Sequence, residues 1–216
     1  MISKGKNAIV TGASGGMGQL LCKKFAQQGV NLAICSVDEE LLAKQAAELT
    51  QDYKINVVSK RVDATEEREV EEFIAAAAEK LGKIDYLINL AGLSIPNVYN
   101  ETPVDVYDRV MDVNVKGAFL MSKHFAANAA KTALIINIGS KAARVTNANA
   151  PIYCMAKAAV NKLSEGLLLQ YGKMGIRVTT INPSGADTPF WGTRQVDRSK
   201  LMYASEVVDI IWAVIN

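Results

Sequence analysis

Histidine is almost missing from this chain: its 216 residues contain one, His124, beside three scattered cysteines, Cys22, Cys35 and Cys154. Structural zinc sites draw their ligands from closely spaced pairs, and no CxxC or His pair is present. A metal centre is therefore not expected, and the cysteines read as reduced core or near-core thiols. A surplus of charge is lacking too. Lys and Arg number 24 against 22 Asp and Glu, a net charge of +2, which leaves no electrostatic footprint for nucleic acid or an anionic membrane. No apolar run approaches the ~20 residues needed to cross a bilayer. The first strand pattern begins at Asn7, so no signal peptide is read. The expectation is a soluble, cytoplasmic protein with neither nucleic acid nor membrane as partner.

What the chain does have is apolar side chains, half of its residues, enough for a sizeable core. Short β-rich runs near 7–11, 31–36, 55–61, 84–90, 132–138 and 176–181 alternate with helical patterns near 17–28, 39–51, 66–81, 104–128, 152–173 and 205–215. The strand runs are nearly continuous in apolar residues, as strands buried on both faces are. Glu67, Glu71 and Glu72 lie off the apolar face of their helix and read as a solvated surface. Strand–helix alternation with right-handed crossovers predicts one α/β domain over 1–216: a Rossmann-type, doubly wound parallel sheet in a three-layer α/β/α sandwich. The stretch near 184–203 has little periodicity and follows the carboxyl end of a strand, so it reads as a lid.

Directly after the first strand runs Thr11-Gly12-Ala13-Ser14-Gly15-Gly16-Met17-Gly18, opening into a helix. Glycines there permit a tight turn, close approach of a pyrophosphate and close helix–sheet packing, while the helix amino end supplies free amides and a positive dipole. The TGxxxGxG spacing resembles that of the short-chain dehydrogenases/reductases, and the resemblance extends along the chain. Asn89-Leu90-Ala91-Gly92 is similar to the family's NNAG segment, with Leu90 in place of the second Asn. It implies that Asn89, Ala91 and Gly92, with Asp63 and Ala64 at the end of the third strand, line the adenine and ribose side of a dinucleotide. Asn182-Pro183-Ser184-Gly185-Ala186-Asp187-Thr188 resembles the family's NPGxVxT turn, which implies that Pro183, Ser184, Ala186 and Thr188 hold the nicotinamide.

Tyr153 and Lys157 stand four apart in a helical segment and so share a face. A free phenol, with a pKa of about 10, is a poor base, and a nearby cation favours its ionised form. Bringing it to neutrality takes about 4 kcal/mol, which a desolvated Lys and a bound cofactor's charge could supply together. Ser140, thirteen residues earlier at the end of the fifth strand, and Asn114, in the helix 104–128, fill the family's remaining positions. The resemblance implies that Tyr153 is the acid or base, Ser140 orients the substrate oxygen, Lys157 lowers the Tyr pKa and holds the ribose, and Asn114 holds a water in a proton relay. It implies hydride exchange between NAD(P)(H) and a small carbonyl or alcohol. The region from Ser140 to Thr188 is most similar to 3-oxoacyl-type reductases.

The second strand ends Ile34-Cys35-Ser36-Val37-Asp38. NAD-using relatives place an acid where Ser36 stands, and NADP-using relatives often an Arg where Val37 stands. With neither, the absence of repulsion at Ser36 tips the balance to NADP, and Asp38 opposes it if turned inward. Phe190 and Trp191 could cover an apolar substrate portion and Arg194 or Arg198 could meet an acidic one, though either Arg reads first as a solvated charge. The chain stops after the last helix, without the strand that relatives add there, and a homodimer or homotetramer is expected. The rival reading is a non-catalytic NAD(P)-binding sensor.

Overall fold

The computed structural model describes residues 4–216. Six strands form one sheet: β1 (Asn7–Thr11), β2 (Asn31–Ser36), β3 (Val57–Arg61), β4 (Ile84–Asn89), β5 (Ala129–Ile138) and β6 (Arg177–Ile181). Their order is β3-β2-β1-β4-β5-β6, and each neighbouring pair is parallel. Seven α-helices accompany them: α1 (Gly16–Gln27), α2 (Glu39–Tyr53), α3 (Glu67–Leu81), α4 (Val104–Met111), α5 (Gly117–Phe125), α6 (Pro151–Tyr171) and α7 (Ala204–Ile215).

Alternation along each strand divides the core in two. Ala8 and Val10 of β1 face a layer built by Leu21 and Phe25 of α1, Leu42 of α2, and Val207 and Ile211 of α7. Ile9, between them, faces Phe73 of α3, Met121 and Phe125 of α5, and Leu167 of α6. Both faces are covered, which is why the strands read as unbroken apolar runs. The three-layer α/β/α arrangement matches the expectation from sequence. The chain leaves β1 toward one edge and returns through β4 toward the other, so the strand order reverses between β1 and β4. Loops part there at the carboxyl ends, opening the crevice where such sheets take ligands.

Three elements depart from the sequence reading. The helix expected over 104–128 is broken by a π-helical turn, Asp112–Lys116, between α4 and α5. Its cause is visible at Asn114, whose Nδ2 donates to Val110 O at 2.8 Å and Leu93 O at 2.7 Å, drawing a carbonyl out of the regular ladder. β5 starts at Ala129, earlier than expected, and pairs Ala129 with Ile84 across an irregular register. The stretch read as aperiodic closes with a small parallel pair, β7 (Ala186–Asp187) and β8 (Met202–Tyr203), each too short to carry a period-two signal. Among the described residues, no helix is long and apolar enough to cross a membrane.

Candidate active site

The turn after β1 has the shape its glycines permit. Gly12 adopts φ +63°, and a Cβ there would lie 3.0 Å from the Ala91 backbone. A Cβ on Gly18 would lie 2.4 Å from Gly12 O, so only glycine lets α1 approach its own turn so closely. Gly15 precedes α1 without a capping side chain, and the helix has no acid in its first turn, which leaves amides and a positive dipole end unopposed. Gly12, Ser14, Gly15, Gly16, Met17 and Gly18 line one wall of a cavity of about 330 Å³. Ser36, Val37, Asp63, Ala64, Ala91, Gly92 and Thr188 also line it. Ser14 and Ser36 share a hydrogen bond at 2.6 Å across its mouth. Asp38 does not turn inward: its Oδ1 accepts from Leu41 N at 3.0 Å and caps α2. Burial works to raise the Asp63 carboxyl, but hydrogen bonds from Thr65 and the Arg109 charge outweigh it and hold it below the usual carboxylate range.

Asn89 differs from its neighbours here. Its side chain points into the sheet, donating to Asn137 Oδ1 at 2.7 Å and Ser122 Oγ at 3.3 Å. Asn137 in turn donates to Ser164 Oγ at 2.8 Å. This buried polar chain ties β4 to β5, α5 and α6, and steadies the strand end that presents Ala91 and Gly92. Leu90 needs no polar substitute: its amide and that of Ala91 donate to Thr11 Oγ at 3.0 and 3.1 Å, while its side chain packs on the core.

A second cleft, about 1190 Å³, opens beside the first and brings together Ser140, Tyr153 and Lys157, with Pro183, Ser184 and Ala186 on its far wall. The two share Met17, Leu90, Gly92, Thr188 and Phe190. Tyr153 and Lys157 project from the first turns of α6, which begins on Pro151 at a position where the missing N–H costs nothing. Ser140 lies two residues past the end of β5, and its amide donates to Asn182 Oδ1 at 3.0 Å. Its hydroxyl accepts from Ala142 N at 3.1 Å. Lys157 is 4% exposed; its ammonium donates to Ile138 O at 2.8 Å and lies 5.7 Å from the centre of the Tyr153 ring. Asn114, buried at the π turn, spends its amide nitrogen on backbone carbonyls and keeps its Oδ1 toward Gly92. Sequence reasoning missed Thr11, Asn137 and Asn182. All three are polar residues at or beside the carboxyl ends of otherwise apolar strands, and that was the available signal.

The electrostatics correct one expectation. Lys157 does not pull the Tyr153 phenol below its ordinary value in this chain alone. Burial raises the phenol, and the Ser140 hydrogen bond and the Arg194 charge only partly offset it. Burial also drives the Lys157 amine down, to about 8. Both groups thus sit in a desolvated pocket that favours their neutral forms.

A profile of the family described as short chain dehydrogenase matches residues 6–199. An uncharacterized oxidoreductase of Staphylococcus saprophyticus is 34% identical over 202 residues, 88% of this chain and 84% of that protein. Among solved structures, a short chain dehydrogenase from Burkholderia cenocepacia in complex with NADP superposes with a TM-score of 0.92 at 24% identity. That match covers 99% of this chain and 91% of the other. A short chain dehydrogenase/reductase from Burkholderia phymatum in complex with NAD does so with a TM-score of 0.90 at 25% identity, covering 100% and 87%.

Proposed function

This chain belongs to the short-chain dehydrogenase/reductase family of oxidoreductases, and from that premise we propose that it reduces a small-molecule carbonyl with NADPH, the reaction being reversible. The observation that carries the reading is the convergence of Ser140, Tyr153 and Lys157 in a cleft that opens onto the glycine-lined cavity. The residues of that cavity fit a dinucleotide. Gly12 and Gly18 let the turn close on Ala91 and on the start of α1 where a Cβ would clash, and the amino end of α1 offers amides to a pyrophosphate. When bound, the nicotinamide supplies or accepts the hydride.

Tyr153 Oη gives a proton to the substrate oxygen in reduction and takes one back in oxidation. Ser140 Oγ, fixed by Ala142 N and by the hold of Asn182 on its backbone, orients and polarises that oxygen. Lys157 Nζ, anchored on Ile138 O, supplies positive charge below the phenol and holds the ribose hydroxyls. The cation of a bound oxidised cofactor would add to this pull, in a pocket already shielded from water. Asn114 Oδ1 passes the relay on toward solvent through a water. Pro183, Ser184, Ala186 and Thr188 hold the nicotinamide carboxamide, and the segment near 184–203 closes over the cleft as a lid.

Preference for NADP is supported by the two serines, Ser14 and Ser36, at the mouth of the cavity, and by Asp38 being occupied as a helix cap. Ser36, and not an acid, ends the second strand where NAD-using relatives place one. The exposed apolar side chains Phe119, Leu168 and Leu169 on α5 and α6 support self-association as a dimer or tetramer. We place the activity in the cytoplasm, with residues 1–216 acting as one catalytic domain. The test is a screen of ketones and alcohols with each cofactor, followed at the nicotinamide absorbance band. Turnover is expected with at least one carbonyl, and faster with NADPH. Binding of cofactor with no turnover of any substrate would instead identify a sensor.

A further inference from the structure

The substrate cleft carries one sign of charge. Lys141, Lys157 and Arg194 line it, and among the described residues no aspartate or glutamate does. Lys157 is committed to Ile138 O and the floor of the site. The other two line this cleft and not the glycine-lined cavity, so the phosphates of a dinucleotide would not reach them. Arg198, four residues on, behaves as expected of a surface charge and pairs with Asp187.

Arg194 does not behave that way. Its guanidinium is held between two rings, 5.2 Å from the centre of Phe190 and 5.1 Å from that of Trp191, which themselves meet edge to face. Nε donates to Trp191 O at 2.8 Å, and Nη2 donates to Phe190 O. The group is therefore pinned by stacking and by two backbone carbonyls, with no carboxylate partner. Its Nη1 has no protein partner among the described residues. Phe190 bridges it to the reacting end: the Phe190 ring lies 6.1 Å from the Tyr153 ring. Partial burial with no counter-ion is a standing cost, which a bound anion would relieve.

We propose that Arg194, aided by Lys141, is an anion-binding residue of the substrate cleft, and that the substrate is a ketone or secondary alcohol bearing a carboxylate or similar oxyanion a few bonds from the reacting carbon. This rests on the oxidoreductase reading above and adds its substrate class. A planar guanidinium offers an anion paired, directional donors, and the cleft's uniform charge draws anions toward it. The apolar faces of Phe190 and Trp191 suit the carbon chain between anion and carbonyl.

The experiment uses a series of keto acids with one to five methylenes between carbonyl and carboxylate, each beside its methyl ester. They are assayed with NADPH and NADH on the wild-type protein, R194Q, R194K and K141Q. At least one acid is expected to exceed its ester in kcat/KM by tenfold or more. That ratio should fall to near one in R194Q through KM rather than kcat, and drop partway in R194K and in K141Q. An ester turned over as well as its acid throughout the series, or an acid preference unchanged in R194Q, overturns the proposal and leaves the oxidoreductase reading standing. If no compound turns over, that reading fails by itself. Calorimetry of 4-oxopentanoate and its ester on the cofactor-loaded wild type and R194Q then decides the anion site alone. Binding of the acid that R194Q loses supports it, and equal or absent binding of the two overturns it.

Discussion

Asn114 and Lys157 meet beneath Gly92: a Cβ built on that glycine would stand 3.1 Å from Asn114 Oδ1 and 3.3 Å from Lys157 Nζ. Two residues 43 positions apart in the chain, one on a π turn and the other on α6, thus share a single small space that a missing side chain keeps open. Four predictions follow from how that space and its surroundings are built, and a fifth from a buried amide on α2.

Tyr153→Phe keeps the ring packed against Phe190 and removes only the hydroxyl proposed as proton donor. Turnover should fall by at least about 10²-fold, while the dissociation constant for NADPH, read by fluorescence titration, stays within a few-fold of wild type. Ser140→Ala removes a hydrogen bond that lowers the Tyr153 pKa. On the proposed mechanism the ionised phenol is the base for alcohol oxidation, so the pH at which kcat/KM rises should move upward in S140A. A downward shift, or a rate loss with an unmoved profile, would contradict this electrostatic role.

Burial drives the Lys157 amine to about 8 from an ordinary value of 10.5. The folded chain therefore holds this proton less readily than the unfolded chain. Relief from the burial penalty is complete above the unfolded pKa and is lost as pH falls through about 8. K157M carries no such titration. Urea unfolding of the two proteins at matched pH should show the wild type gaining about 3 kcal/mol relative to K157M between pH 8 and pH 10.5. A constant difference across that window would mean that the amine is not desolvated.

Ser36→Asp puts a carboxylate where Ser14 and Ser36 now share a hydrogen bond. It should repel a 2′-phosphate and accept from ribose hydroxyls, moving the ratio of NADPH to NADH dissociation constants at least tenfold toward NADH. Tenfold tighter binding of NADH by the unmodified protein would refute the assigned preference at the outset.

Gln45 is buried on α2, where its Oε1 and Nε2 make no hydrogen bond of good geometry among the described residues and only the weakly bonding Cys22 thiol lies beside the amide. Replacing it with methionine, of similar length, should remove that desolvation cost and raise stability by about 1–2 kcal/mol, visible as a higher urea midpoint with an unchanged slope. Destabilisation by the same amount would show that the amide is satisfied in solution.

How far the molecule was legible from its residues depended on the length scale of each signal. Strands such as Ala8–Val10, flanked by turn glycines and repeated six times, announce a buried parallel sheet because both faces demand apolar side chains. The glycine turn is legible because three positions each exclude a Cβ for a different steric reason. The π turn is not, because Asn114 reads as an ordinary polar residue in a helix until Leu93 O arrives from another part of the chain to claim its amide. The setting of Arg194 was hidden for the same reason. A lone arginine in a polar stretch looks solvated, and only the fold of Pro189–Trp191 puts two aromatic rings around it. Nor could spacing report that the pocket around Tyr153 is dry enough to outweigh a neighbouring lysine.

The reversal of strand order between β1 and β4 has a consequence for how the protein comes into being. While the chain is being synthesised, β1, β2 and β3 with α1 to α3 exist before β4 does, and β1 then presents an unpaired edge. Thr11 Oγ, at the end of that edge, is the acceptor for both Leu90 N and Ala91 N, so the glycine turn gains its companion wall only when the second half docks. The two halves meet at Gly82, in a positive-φ conformation with open space around it. A chain cut there would yield a βαβαβα fragment and a remainder carrying Asn114, Ser140, Tyr153 and Lys157, each holding half of what a dinucleotide needs. Nucleotide would then act as the clasp between them, favouring reassembly in proportion to its own affinity.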